Sequence, residues 1–473
     1  MVVGEVPEPV DLLVVGAGPG GYVAAARAAE LGREVVVVDR EGIEGGLGGA
    51  CLRVGCIPSK ALIELAHAYE TTRDAGRAGL RVSGAEVDLG AFQDWRGEIV
   101  TKLEGGVGGL LRRHRVRYLV GEVSFSRPDR AVVAFVDGNS SFLEFKQAIV
   151  ATGSRPLELS ALPVDGERVL TATGALALTA VPPAMAIVGG GYIGLEIGTA
   201  FAKLGAKVTI VEALDQVLPT FAPSLVRPVL RSLENLGVDL RLGTLATGLD
   251  GDALVVTGAD GEERIEAEKI VIAVGRTPNT DGLGLQTTGA RLDDKGLVEV
   301  DERRLATPDI AAIGDVTAGP ALAHKASAEA IVAAEALCGL PSAFEPLAIP
   351  AVVFTDPEIA SVGMTLEEAK KAGLDAVQAK GTLASNGRAA TLDADDGFTQ
   401  VVVDRAADRV VGVHMVGPHA SELIAAGALA TEMIASPADV FGTIHPHPTL
   451  SEGLHAAAEQ LVERAPVAVG GDS

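Results

Sequence analysis

Short apolar runs separated by glycine-rich turns organise this chain. Residues 11–15 (Asp-Leu-Leu-Val-Val) and 34–38 (Glu-Val-Val-Val-Val) are nearly continuous in β-branched and aliphatic side chains, the pattern of strands buried on both faces. An alanine-rich segment between them, about 20–31, has the length of a helix. Further strands are expected at 148–154, which closes in a tight turn, at 270–276, and at 310–315, which ends in Gly-Asp. Beyond residue 351 the style changes to strands at 399–403 and 410–416, with helices at about 422–435 and 451–464. Strand–helix alternation predicts an α/β architecture, and the last stretch predicts an α+β module suited to subunit contact.

The turn after the first strand reads Gly16-Ala17-Gly18-Pro19-Gly20-Gly21. Gly16 permits a tight turn, Gly18 lets a pyrophosphate approach the backbone, and Gly21 lets the helix pack on the strand. The helix then points its amino terminus at the phosphates. Asp39, ending the second strand, is placed to accept a hydrogen bond from a ribose. Residues 14–39 overlay 187–212 without a gap. Gly16, Gly18 and Gly21 fall on Gly189, Gly191 and Gly194, Gly32 on Gly205, and Asp39 on Glu212. Two such units mean two dinucleotides. Glu212 suits a free ribose 2′-hydroxyl and repels a 2′-phosphate, so NAD is expected over NADP at the second site. Arg276, further along, is the cation that could approach the adenosine. Prolines and turns divide the chain at 1–155, 156–280, 281–350 and 351–473.

Composition narrows the class. A chain of 473 residues has room for about three domains. Aromatics are only 3%, so apolar burial rests on Val, Leu, Ile and Ala. A formal charge of −24 repels nucleic acid and anionic membranes, and neither is expected as a partner. No run of 18 apolar residues exists to span a membrane. Residues 1–9 lack the basic and apolar regions of a signal peptide. Three cysteines do not make a secreted disulfide framework, so the cytoplasm is the expected location.

Two of those cysteines stand in Cys51-Leu52-Arg53-Val54-Gly55-Cys56-Ile57-Pro58-Ser59-Lys60. Cys-x4-Cys is not a zinc spacing and no further Cys/His pair stands nearby, so no metal is expected. Inert thiols and a redox pair both fit the spacing. A straight helix separates residues five apart by about 7.5 Å along its axis, beyond the reach of a disulfide. Gly55 and Pro58 supply the distortion that a bridge requires. Cys338, alone in an alanine-rich helical stretch, reads as a buried bystander. Near the far end, His445-Pro446-His447-Pro448-Thr449-Leu450-Ser451-Glu452 offers a base. His447, oriented by Glu452, is suited to take the proton of a thiol, which attacks only as thiolate.

In combination these motifs resemble the dihydrolipoamide dehydrogenases of the flavin-dependent pyridine nucleotide–disulfide oxidoreductase family, over almost the whole chain. The family pattern Gly-Gly-Thr-Cys-Leu-Asn-x-Gly-Cys-Ile-Pro-Ser-Lys stands here as residues 48–60, with Ala50 and Arg53 in place of Thr and Asn. Arg53 brings a positive charge expected to favour a thiolate. The resemblance implies two Rossmann-like domains, for FAD and NAD, and a C-terminal interface domain. FAD would occupy the first cradle, with Asp39 on its ribose and Thr152, Gly153, Gly314, Asp315 and Ala323 completing the site. NAD would occupy the second, with Gly275, and with Tyr192 covering the flavin until nicotinamide displaces it. Lys60 would lie by the flavin, paired with Glu196. The protein would be a homodimer in which His447 serves the cysteines of the other subunit.

The implied reaction is oxidation of a protein-bound dihydrolipoyl group. His447 deprotonates one substrate thiol, which attacks Cys51 and opens a 51–56 bridge. The second substrate thiol then releases lipoyl disulfide and leaves Cys56 as thiolate, and electrons reach NAD through FAD. The lipoyl group would arrive on a separate acyltransferase or carrier protein, of a 2-oxo acid dehydrogenase or glycine cleavage system. Glutathione-type reductases want basic residues where Glu212 stands. Mercuric and large thioredoxin reductases carry a C-terminal cysteine pair, which residues 468–473 lack. Against a non-catalytic NADH-sensing flavoprotein subunit stands the complete set of cysteines, lysine and histidine.

Overall fold

The period-two alternation of the first strand sorts two separate cores. In the computed structural model, which describes residues 6–40 and 46–462, Leu13 and Val15 enter one core with Phe125, Val133, Phe145 and Leu285. Leu12 and Val14 enter the other, against Ala24, Ala25 and Ala28 and against Ala330 and Ala333. Residues 1–5 of the segment read for a signal peptide and residues 468–473 lie outside the described residues, and the helix expected to run to Arg464 ends at Glu459.

The chain divides into two compact units, Met1–Pro183 with Ala267–Glu345, and Ala184–Glu266 with Pro346–Ser473. The first begins with β1 (Glu8–Val15), α1 (Pro19–Glu30), β2 (Val35–Asp39), α2 (Gly49–Arg53), α3 (Cys56–Asp74), α4 (Leu89–Arg113), β3 (Arg117–Val120), the hairpin β4 (Glu122–Arg127) and β5 (Arg130–Ala134), and β6 (Ser140–Val150). Its sheet runs Ile310–Ala312, β6, β1, β2, β3, with all four pairings parallel. The β4–β5 hairpin folds antiparallel onto β6. One face of the sheet is covered by α1 and by the helix Ala323–Leu337. Fully buried alanines on both helices leave no bulk to hold them apart. The expected strand at 310–315 is only three residues long, because Gly314–Val316 turns into a 3₁₀ helix.

In the second unit, Ala184–Val188, Lys207–Val211 and Asp239–Arg241 pair in parallel, with the helix Tyr192–Lys203 between the first two. A five-stranded antiparallel sheet follows, in the order Ala351–Val353, Glu358–Gly363, Arg409–Gly417, Phe398–Asp404, Ala376–Thr382. The helices Ala420–Glu432 and Glu452–Glu459 pack on it through Ile424, Leu454, Ala457 and Ala458. The first of these helices was expected at 422–435. It ends earlier because Ile434 adopts φ 54° and the Ala435 N–H closes back onto the Ala430 carbonyl at 2.9 Å.

Candidate active site

The two cradles are built alike, atom for atom where they can be compared. Gly16 and Gly189 take φ of 105° and 113°, which L side chains avoid. A Cβ on Gly21 would lie 1.8 Å from the Gly16 carbonyl oxygen, and one on Gly194 2.1 Å from that of Gly189. Gly18 and Gly191 cap α1 and Tyr192–Lys203, and neither cap has a side-chain hydrogen bond. A Cβ on Gly191 would meet nothing within 4 Å. These helix starts therefore present backbone donors and open space to an incoming anion, which is what a dinucleotide pyrophosphate requires.

Each cradle is tied to the acid that ends its second strand. Asp39, 8% exposed, accepts a hydrogen bond from the Ala17 N–H. At the matching position Glu212 accepts from the Gly190 N–H at 2.6 Å and, through its other oxygen, from Leu214 N–H at 2.8 Å. Sequence reasoning assigned these acids to ribose alone and missed that they also brace the turn. Arg276 does not stand free: its guanidinium donates to the Ser154 hydroxyl at 2.7 Å and to the Ser154 carbonyl at 2.5 Å.

The dithiol sits on a helix break beside the first cradle. Cys51 lies in α2 and Cys56 opens α3; Val54 and Gly55 separate the helices, and a disulfide joins the cysteines across a Cα–Cα distance of 4.7 Å. A Cβ on Gly55 would fall 3.0 Å from the Ala50 carbonyl oxygen, so this crossing suits glycine. Pro58 is the third residue of α3, where a missing N–H costs no intrahelical bond. The Gly48 N–H donates to the Ala17 carbonyl at 3.1 Å. Gly49, with φ 64°, packs its backbone directly on Gly18. α2 thus begins against the phosphate cradle, and Leu52 drives it into the core beside Val107 and Leu111. Lys60 follows Cys56 by one turn of α3, 3.4 Å from the Ser59 hydroxyl, and Ser59 in turn caps the Cys56 carbonyl at 3.0 Å. The charge expected of Arg53 is engaged: its Nε lies 3.0 Å from Glu104 Oε1 on α4. Cys338 is half-buried rather than buried, because it falls just past the end of its helix.

The residues expected to complete a flavin site converge within the first unit. The Asp315 carboxylate accepts from the Ser154 hydroxyl at 2.5 Å. Thr152 donates to the Asn279 carbonyl at 2.7 Å, and the Asn279 side chain returns a bond to the Thr152 carbonyl at 2.9 Å. Gly153 takes φ 68°; Gly275, expected at the NAD site, takes φ 135° and belongs to this first unit rather than to the one that holds the second cradle. Ala323 opens the helix that follows. Behind Gly314 lies a buried cluster of Lys325, Glu329 and Thr317, which no sequence signal revealed on so alanine-rich a helix.

In the second unit His447 and Glu452 meet as expected, with Nδ1 2.9 Å from Oε1. The other Glu452 oxygen accepts from the Thr449 N–H at 2.9 Å. That N–H first, and His447 second, hold the Glu452 carboxyl below its ordinary range. The His447 side chain is 79% exposed, so its ring edge is available to an incoming group. The loop is pinned by Asn386, which donates to the Thr449 carbonyl at 2.9 Å, and by buried Leu450. Tyr192 is 40% exposed at the start of its helix. Glu196, in the same helix, is buried and accepts from the Phe354 N–H at 3.0 Å.

Two dinucleotide cradles and a disulfide beside one of them define a nucleotide-dependent disulfide oxidoreductase. Residues 10–330 match the family described as pyridine nucleotide-disulphide oxidoreductase, and residues 349–458 match its dimerisation domain. The chain belongs to this family. It is 46% identical to the dihydrolipoyl dehydrogenase of Geobacillus stearothermophilus over 465 residues, 97% of each chain. It is 45% identical to that of Halobacterium salinarum over 474 residues, 98% of this chain and 99% of the other. The crystal structure of LpdA from Mycobacterium tuberculosis superposes with a TM-score of 0.88 at 30% identity, covering 96% of this chain and all of that one. FAD and NAD are the cofactors of such an enzyme, and the cradles described above fit them. No helix among the described residues is long and apolar enough to cross a membrane.

Proposed function

We propose that this chain is an NAD-dependent dihydrolipoyl dehydrogenase that oxidises protein-bound dihydrolipoyl groups to the cyclic disulfide. One observation carries the reading: the Cys51–Cys56 disulfide lies on a helix break that starts against the first phosphate cradle. FAD belongs in that cradle, with Asp39, Thr152, Gly153, Gly314, Asp315 and Ala323 around it. NAD belongs in the second, with Glu212 at its adenosine ribose. Held in the first cradle, FAD would supply a two-electron carrier between the reduced cysteines and NAD.

The protein side chains handle thiols and protons. His447, its Nδ1 held by Glu452, takes a proton from one dihydrolipoyl thiol. The resulting thiolate attacks the Cys51 sulfur, breaking the 51–56 bond and leaving Cys56 as thiolate. The second substrate sulfur, losing its proton, displaces Cys51 and closes the lipoyl disulfide, so two thiols are oxidised as one protein disulfide is reduced. Lys60, one turn beyond Cys56, contributes positive charge beside the flavin, and Glu196 partners it. Tyr192 shields the nicotinamide position. The match at residues 349–458 supports a homodimer; His447 then serves the dithiol of the other subunit, and the substrate arrives on a lipoyl-bearing carrier in the cytoplasm. Steady-state rates with dihydrolipoamide, glutathione and mercuric ion, each with both nicotinamide cofactors, test the reading. Dihydrolipoamide with NAD should dominate, and Cys56→Ser should abolish it. Turnover surviving in Cys56→Ser would refute the mechanism.

A further inference from the structure

The Gly314 peptide is gripped on both sides by one buried ion pair. Its N–H donates to Glu329 Oε2 at 2.7 Å. Its carbonyl accepts from Lys325 Nζ at 3.0 Å and from the Thr317 hydroxyl at 2.9 Å. Lys325 and Glu329 stand one turn apart on the helix Ala323–Leu337, 3.1 Å from each other, with side chains 1% and 0% exposed. Arg304 closes the cluster from behind, 3.0 Å from Glu329 Oε1. Gly314 itself takes φ 78°, with Ala326 Cβ 3.2 Å from where its side chain would begin.

Burying two charges is costly, and an apolar pair of like volume would pack at least as stably. Here the charges are spent on direction. The bonds from Glu329, Lys325 and Thr317 to the Gly314 N–H and carbonyl all end on the 3₁₀ turn that presents Asp315. The front of that turn is Asp315, whose carboxylate receives the Ser154 hydroxyl.

We propose that Lys325 and Glu329, backed by Arg304, are positioning residues for the flavin: they fix the peptide that aims the Asp315 carboxylate at the hydroxyls of the FAD sugar chain. This rests on the assignment of Gly314–Asp315 to FAD. A fixed acceptor forms its bonds to the cofactor without first losing orientational freedom, so a loosened turn lets FAD go faster.

The test uses purified holoenzyme of the wild type, Lys325→Met, Lys325→Met/Glu329→Gln, Thr317→Val and Asp315→Ala. FAD release on dilution is followed by the rise in flavin fluorescence, flavin geometry by visible circular dichroism, and folding separately by far-ultraviolet circular dichroism. Lys325→Met removes the donor to the Gly314 carbonyl and one of the two cations beside Glu329, and should release FAD at least tenfold faster, with an altered visible spectrum. The double variant also takes the carboxylate from Arg304 and the charged acceptor from the Gly314 N–H, and should release FAD at least as fast as Lys325→Met. A purely structural role would lower the unfolding temperature but leave the visible spectrum unmoved. Thr317→Val nearly keeps shape and retains the ion pair, so it folds even where the lysine variant fails; it should release FAD about threefold faster. Release and spectra unchanged in Thr317→Val and in folded Lys325→Met, with Asp315→Ala fast, would overturn the proposal. If Asp315→Ala itself retains FAD like the wild type, the assignment of this turn to the flavin falls, and the proposal with it.

Discussion

Replacing Gly191 by alanine places a methyl group where the protein has nothing within 4 Å; at Gly194 the same methyl falls 2.1 Å from the Gly189 carbonyl oxygen. Real Cβ contacts do not fall below 3.0 Å, so Gly194→Ala must push the helix Tyr192–Lys203 back by about 0.9 Å. Overpacking of this kind costs about 1–3 kcal/mol and should lower the unfolding temperature by several degrees. Gly191 takes φ −75°, which alanine adopts without strain, so Gly191→Ala should lose less than about 1 kcal/mol. Its methyl nevertheless fills the space through which the pyrophosphate approaches the backbone. The KM for NAD should rise at least tenfold, about 1.4 kcal/mol of binding, with flavin content unchanged. NAD saturation curves, flavin absorbance and thermal unfolding on both variants decide the matter. Wild-type KM in Gly191→Ala, or equal destabilisation of the two variants, would refute the assignment of packing to one glycine and ligand approach to the other.

Glu212→Ala removes the acceptor of two backbone N–H groups and the repulsion toward a 2′-phosphate; the ratio of kcat/KM for NADP over NAD should rise at least tenfold, read from steady-state rates. Glu104→Gln removes the carboxylate charge at the Arg53 Nε, so the reduced enzyme should be alkylated by iodoacetamide faster, whereas Arg53→Met should leave that rate near wild type. Asp11 is held down to about 2, first by the hydrogen bond from Arg33 and also by Lys146. A depressed carboxylate stabilises the fold above its unfolded value, and that stability is lost as pH falls from about 4 toward 2. The urea-unfolding difference between wild type and Asp11→Asn should therefore be about 1 kcal/mol at pH 6, allowing for solvent screening, and vanish toward pH 2.

What the sequence made legible was what local sterics force. Gly21 and Gly194 in the two cradles, and Gly55 in the break between Cys51 and Cys56, are demanded by backbone carbonyls five residues earlier, so spacing alone reveals them. The pairing of His447 with Glu452 is similarly local. Lys325 and Glu329 escaped notice because an i, i+4 ion pair usually reads as a solvated helix face; burial came from the strand Ile310–Ala312 and its turn, packed on that helix. Arg53 was misjudged for the same reason, since its partner Glu104 lies 51 residues downstream in sequence. The short strands Ala351–Val353 and Glu358–Gly363 were missed because the first is an edge strand paired only with the second, and the second takes its other neighbour from the distant Arg409–Gly417.

The parallel pairing of β6 with Ile310–Ala312 has a consequence for biosynthesis. The sheet that carries the first cradle stays two strands short, Leu305–Thr307 and Ile310–Ala312, until the ribosome has made the segment beyond residue 312, with all of 184–266 already made. A cofactor held by both Gly16 and Asp315 cannot be retained by a nascent chain shorter than that. On the proposed flavin assignment, loading would wait for that segment, and a chain truncated before it should be purified without flavin colour.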